Sequence, residues 1–268
     1  MGLALVSLTV CAQTDTIFSN AEKIACSVKE ITPDAVKFSY PGEDLVNSVY
    51  KNTITKIVFK SGRVQTFAEA TSFKKVRYAI DWDNVALTQV ESEVKGLYKL
   101  GDVSAKAKGT TTLASMERVK ERAIKKFKIQ AAMLGANVTY ITQQNTEGNQ
   151  MGTKFTAGKT TETNLSGVAY SNLLPDFNGF KSKISPEKKY KVKEKHSLWS
   201  SDADLSSVTD YSYELSIKEI NTESGLILIN GAIGTENEKK YRVIYYDNEC
   251  FVLSYEDKST IYNYKVQY

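Results

Sequence analysis

Between Thr112 and Gly135 the apolar residues stop alternating and fall three or four apart, and this change of period does most to limit what the chain can fold into. Met116, Val119, Ala123, Phe127, Ala131 and Leu134 form one stripe, with Glu117, Arg118, Glu121, Arg122 and Lys125 off it. That spacing predicts a helix with one buried side. Thr112 is the expected N-cap, with Ser115 as the alternative. Gly135 is the expected stop, because glycine takes the positive φ that ends many helices. Elsewhere the apolar positions follow the two-residue period of half-buried strands, so the chain reads as α+β and β-rich, with one long helix packed on a small sheet.

The strands group into modules. In segment 14–66, Ile24, Cys26 and Val28 alternate, Thr32-Pro33-Asp34 turns, residues 35–40 resume a strand before Pro41-Gly42, and residues 54–59 run into Ser61-Gly62. Segment 85–172 places strands at 94–98 and 103–107 before the helix and at 137–141 and 167–170 after it. Segment 188–268 is rich in tyrosine and predicts an antiparallel meander: residues 211–217, 226–229, 241–246, 250–255 and 260–266, joined by turns at 221–225, 247–248 and 256–259. A curved open sheet and a closed barrel both satisfy that pattern. Residues 67–84 read as a connector and 173–187 as a linker.

Two stretches carry resemblances. Asp15-Thr16-Ile17, Glu30-Ile31-Thr32-Pro33, Val36-Lys37-Phe38 and the run from Ile54 to Gly62 resemble a small β module widespread in secreted proteins of Gram-negative bacteria. The resemblance implies an envelope or secreted setting and no known activity. The eight residues from Ala131 to Val138 together with Gly167-Val168-Ala169-Tyr170 resemble the YbjQ-like superfamily, often labelled a heavy-metal-binding domain. Those residues are a helix end, its glycine and a strand start, so they mark fold more than chemistry. The metal label does not carry over, because segment 85–172 has neither cysteine nor histidine, the ligands soft metals need.

The first thirteen residues are apolar (Leu3, Leu5, Val6, Leu8, Val10) and switch to polar at Thr14-Asp15. They are expected to be a signal peptide cut after Ala12, being too short to cross a bilayer. Anchoring as a lipoprotein through Cys11 is the alternative. The expected location is the periplasm, the outer-membrane surface or the medium. Cleavage leaves Cys26 and Cys250, which permit one disulfide and are expected to be packed thiols. A net charge of +4 is too small for an overall polyanion-binding field, so no nucleic-acid partner is expected. Two local basic stretches, Arg118, Lys120, Arg122, Lys125, Lys126 and Lys128 on the helix and the lysines from Lys181 to Lys195, are expected to be a solvated helix face and a blunted sheet edge, with contact to a polyanionic lipid or an envelope protein as the functional alternative.

No catalytic, cofactor or metal site emerges. Gly152 to Thr160 nearly spells a phosphate loop, but five residues separate its glycines and no helix is expected to follow. His196 is the only histidine, stands among lysines without an evident ordering acid, and is expected to be exposed. Asp202 and Asp204 open like a calcium loop, yet Ser207 replaces its glycine and Tyr213 its glutamate. Asp81 and Asp83, if alternate on a strand, would share a face at roughly 7 Å, within the range of glycosidase pairs. The expected function is a non-enzymatic exported envelope protein with a binding or assembly role. The alternatives are a carrier of a small apolar ligand or lipid in the C-terminal β module and, more distantly, a sugar-active hydrolase.

Overall fold

A computed structural model of the chain describes residues 14–19, 22–67, 73–111, 114–148, 158–202 and 204–268. The apolar run 1–13, Thr112 and most of the near-phosphate loop lie outside the described residues. The chain is β-rich, 54% strand against 15% helix. It divides into two compact units, residues 1–70 and 71–268.

The first unit is one antiparallel sheet of β1 (Asp15–Ser19), β2 (Lys23–Ile31), β3 (Ala35–Ser39), β4 (Asn47–Tyr50), β5 (Ile54–Val58) and β6 (Val64–Thr66), in the order β4-β3-β2-β1-β5-β6. Its alternate apolar residues, among them Ile17, Ile24, Cys26, Val36, Phe38 and Ile57, make one core. Asp15, at the start of β1, is buried and accepts the Val28 and Lys60 amides, both at 2.8 Å, so the carboxylate is hydrogen-bonded through both oxygens. Gly42 and Gly62 take φ of +81° and +83° in the expected turns.

The second unit opens with a 3₁₀ helix (Ala79–Asn84). There follow β7 (Ala86–Thr88), β8 (Tyr98–Lys108), α1 (Met116–Met133), β9 (Val138–Glu147) and β10 (Glu162–Ser171). The strands pair in the order β7-β9-β10-β8, antiparallel except for β7 on β9. Ser115 is the N-cap, its Oγ accepting the Arg118 amide. Ala123, Phe127 and Ala131 pack on Val103, Ala105, Leu165 and Ala169 of the sheet. Gly167 is required because a Cβ there would stand 2.2 Å from the Tyr140 carbonyl oxygen of β9 and 2.9 Å from Cζ of the Phe127 ring above it.

The single-stripe expectation for the helix is corrected in two places. Met116 is 39% exposed, whereas Lys126, Ile129 and Met133, all outside the stripe, are buried. The physical reason is a second layer: Ile129 and Met133 pack on Ala79 and on Leu198 of the C-terminal segment. Residues 173–187, expected as a linker, contain α2 (Phe177–Lys181), capped by Asp176 through the Gly179 amide.

The remaining strands, β11 (Lys189–Trp199), β12 (Ser206–Glu223), β13 (Leu226–Ile233), β14 (Lys239–Tyr246), β15 (Cys250–Asp257) and β16 (Thr260–Gln267), form the meander. It closes into a barrel when β16 pairs back on β11, from Lys191 with Gln267 to Trp199 with Thr260. Bulges in β11, β12 and β14 bend the strands round so small a circumference. Six strands give a barrel narrower than the eight-stranded kind, whose interior is just wide enough for side chains to fill or for one small ligand. Tyr190, Val192, Leu215, Tyr241, Phe251, Leu253, Tyr264 and Val266 occupy the interior, and Phe180 of α2 plugs one end against Phe251 and Tyr246.

The barrel's outer face is apolar and polar by turns where the α/β part covers it. Ile244 and Val252 pack on Tyr78. Arg242 donates to the carbonyls of Leu100 and Leu134, and burial pulls its pKa down to about 10. Gly135 ends α1 with φ of +80°, and a Cβ there would meet Ile244 Cβ at 2.9 Å, so both the backbone and the close approach demand glycine.

Candidate functional site

The seam between the α/β part and the barrel holds a cleft of about 490 Å³. Three segments build it. Phe73 to Val76 forms one wall, Ser171 to Pro175 a second, and Ile244 to Tyr246 of β14 the third, with Gly135 at the helix end between them. The second wall is braced: Asn137 Nδ2 donates to Asn172 Oδ1, the Asn172 amide donates to Asn137 Oδ1 at 3.3 Å, and Ser171 Oγ donates to the Leu173 carbonyl. Leu173, Leu174, Pro175, Phe73, Ile244 and Tyr245 give an apolar lining, while Lys74 and Lys75 are exposed at its edge. The Lys75 ammonium sits 4.7 Å from the Tyr245 ring centre, the geometry of a cation–π contact. An apolar cleft of this size, with a few polar groups placed around it, suits a small molecule with an apolar body and an anionic end.

A second polar constellation lies further round the seam. His196 is buried at 2% exposure, which corrects the expectation of an exposed strand histidine. The helix-side connector supplies the cover, with the Tyr78 ring 5.4 Å from the imidazole. The ordering acid is also present. Glu194 Oε2 lies 3.2 Å from Nε2 and Ser207 Oγ 2.8 Å from Nδ1. Glu194 additionally accepts from Lys265 Nζ at 2.7 Å and from the Tyr78 hydroxyl at 3.3 Å. Burial pushes the Glu194 pKa upward, but Lys265 and His196 together hold it below the ordinary carboxylate value. As a carboxylate, Glu194 accepts from Nε2–H, and Nδ1 then accepts from Ser207.

Serine, histidine and glutamate are therefore in hydrogen-bonded series. A groove of about 380 Å³ beside them is lined by Glu194, Thr209, Asp210, Cys250 and Lys265, with Ser207 outside its lining. A nucleophile that does not face the available space is poorly placed for attack. The series does have a consequence for pH. Burial pulls the His196 pKa below its ordinary 6.5, and Glu194 only partly restores it. The unfolded chain then binds a proton that the folded chain refuses, so stability is present above the ordinary histidine value and is lost as pH falls through the folded one. Urea unfolding from about pH 7 down to pH 5 should show falling stability, and His196→Gln should flatten that slope. The loss from Glu194 belongs to a lower window, below the ordinary carboxylate pKa.

No family model, curated protein or solved structure matches this chain.

Asp81 and Asp83 stand on a 3₁₀ helix, not a strand, which corrects the shared-face geometry. Asp81 is clamped by Arg77, with Nε at 2.8 Å and Nη2 at 3.0 Å, and also accepts the Arg77 amide. Cys26 and Cys250 carry free thiols in different units, each pushed up to about 11 by burial first and then by a neighbouring aspartate. Asp204 pairs with Lys125, and among the described residues no three His, Cys, Asp or Glu side chains converge. Gly152 to Ala157 lie outside the described residues, and β10 follows them in place of a phosphate-binding helix. The tyrosines largely pack on one another: Tyr255 and Tyr262 stack across a strand pair, and the Lys195 ammonium lies over the rings of Tyr211, Tyr262 and Tyr264. The cleft was not legible in sequence, because its walls come from a connector, a linker and a strand that each look ordinary alone.

Proposed function

We propose that this is a non-enzymatic exported protein of the cell envelope, modular in build, which binds a small ligand with an apolar body and an anionic end. One observation carries the reading: the apolar cleft edged by Lys74 and Lys75 at the seam of residues 71–268. The carrier alternative gains from the same feature, but with the ligand in the cleft instead of inside the C-terminal β module, whose interior is filled. The envelope setting is supported by the apolar run 1–13 and by the secreted-module resemblance of residues 14–66. The YbjQ-like resemblance of the segment 85–172 adds a fold and no ligand. No helix among the described residues is long and apolar enough to cross a membrane. The clamped Asp81 counts against the hydrolase reading.

Anilinonaphthalene sulfonate, an apolar ring system with a sulfonate, is a suitable probe. Its fluorescence should rise on binding the native protein. Leu173 is half exposed, so Leu173→Asp should leave the fold intact. Leu173→Asp and Lys75→Glu should each weaken probe binding by on the order of tenfold, the cost of roughly one charge contact. Undiminished binding in both variants would remove the cleft as the site.

A further inference from the structure

Around Arg122 and Lys126 of α1 the fold gathers cations that are far apart in the chain. Lys106 and Lys108 of β8, Arg122 and Lys126 of α1, and Ser200, Ser201 and Asp202 after β11 line a pocket of about 340 Å³. Lys126 is only 3% exposed. Its ammonium donates to the Ser200 carbonyl and forms no ion pair among the described residues. A buried ammonium normally needs a counter-charge, because a single neutral carbonyl does not return what is lost on its removal from water. The neighbours add to the excess. Arg122 gives a hydrogen bond to the Lys108 carbonyl, and neither Arg122 nor Lys108 makes an ion pair among the described residues. Lys106 is neutralised by Glu162 at 2.7 Å. Four cations therefore line the pocket, with two carboxylates near them: Glu162, which pairs with Lys106 and also acts on Lys108, and Asp202.

We propose that this pocket binds a phosphate-type oxyanion, held by Lys126 from within and by Arg122 and Lys108 from the rim, with the Ser200 and Ser201 hydroxyls as further donors. Guanidinium and ammonium groups converging on one small volume match the charge and the many acceptor positions of a phosphate or phosphomonoester. Burial holds the Lys126 pKa below its ordinary value, with Asp202 only partly opposing, and a bound dianion would reverse that balance. The site is separate from the apolar cleft and shares no lining residue with it. Its failure would therefore leave the cleft reading standing.

Isothermal titration of the full chain with inorganic phosphate, against sodium chloride at equal ionic strength, tests the site. Phosphate should bind with a stoichiometry near one and raise the melting temperature beyond chloride. The double variant Lys108→Gln/Arg122→Gln should lose on the order of a hundredfold in affinity, about tenfold per cation. Lys126→Met should abolish the phosphate-specific rise while melting, without phosphate, no lower than the native chain. Lys29→Gln, in the other unit, should change nothing. A second arm uses phosphatidylcholine vesicles with and without phosphatidic acid. Phosphatidic-acid-dependent binding that the double variant loses would assign the oxyanion to a lipid headgroup, and phosphate binding without vesicle binding would assign it to a soluble anion. Equal responses to phosphate and chloride together with indifference to phosphatidic acid, or responses that survive the double variant, would overturn the proposal.

Discussion

Phe127→Ala should be among the most damaging single substitutions in this chain. Its ring is fully buried, sits over Gly167 of β10 and contacts the apolar side chains of β8 and β10. Gly167 has no side chain with which to fill the space the ring would leave. Truncating a buried Phe typically costs about 3–5 kcal/mol, a large share of the total stability of a domain. Lys125→Ala is the control on the same helix. Its side chain is 41% exposed, with an exposed ion pair to Asp204 and a contact over Trp82. Exposed pairs contribute about 0–1 kcal/mol, so its melt should barely move. Comparable small effects from the two variants would mean that α1 does not pack on the sheet through Phe127.

Asn263→Leu should come close behind. Asn263 lies on β16, fully buried, and its side chain joins three parts of the fold. Oδ1 accepts the Ala79 amide at 3.1 Å, and Nδ2 donates to the Met133 carbonyl at 2.9 Å and to the Tyr262 carbonyl at 3.1 Å. The Met133 carbonyl belongs to the last turn of α1, where the helix itself supplies no donor. Leucine has similar bulk but can satisfy neither Ala79 nor Met133. Each buried group left unpaired costs about 1–3 kcal/mol. Asn230→Ala is the comparison, since its side chain donates to Glu219 in an exposed hydrogen bond. Denaturant unfolding should show a large loss for Asn263→Leu and a small one for Asn230→Ala. Because the residue links the barrel to both α1 and the 3₁₀ helix, the loss should also separate the melting of the α/β part from that of the barrel. An unchanged single transition would mean that the two parts do not depend on this joint.

Much of the local structure was legible from residue spacing. The helix, its glycine stop and the hairpins of the meander follow from side-chain period and turn chemistry, which are properties of neighbours in sequence. Cys26 alternates with Ile24 and Val28 and is buried as that pattern requires. The failures occur where a distant segment covers a side chain. Lys126 falls off the apolar stripe and looks solvated, yet a loop 74 residues later closes over it. His196 stands among lysines in sequence, but its strand neighbours point the other way, and Tyr78 arrives from 118 residues earlier to cover it. Glu194 shares its face because the two are alternate on one strand, a signal that was present in the spacing.

The sequence by itself determined most of the strands, the long helix and most of the turns, whereas residues 94–97, expected as part of a strand, form a turn, and β4, β7 and α2 were not marked by their residue spacing. Only the tertiary structure decided that the meander closes, that α1 has two buried faces, and that an apolar cleft and a separate cationic pocket form where its elements meet. The reason lies in the range of the interactions. Periodicity records which side of an element avoids water, but not which element will cover it. Closure depends on pairing between β11 and β16, and both sites depend on walls brought together by packing, so neither leaves a pattern within any single stretch of chain.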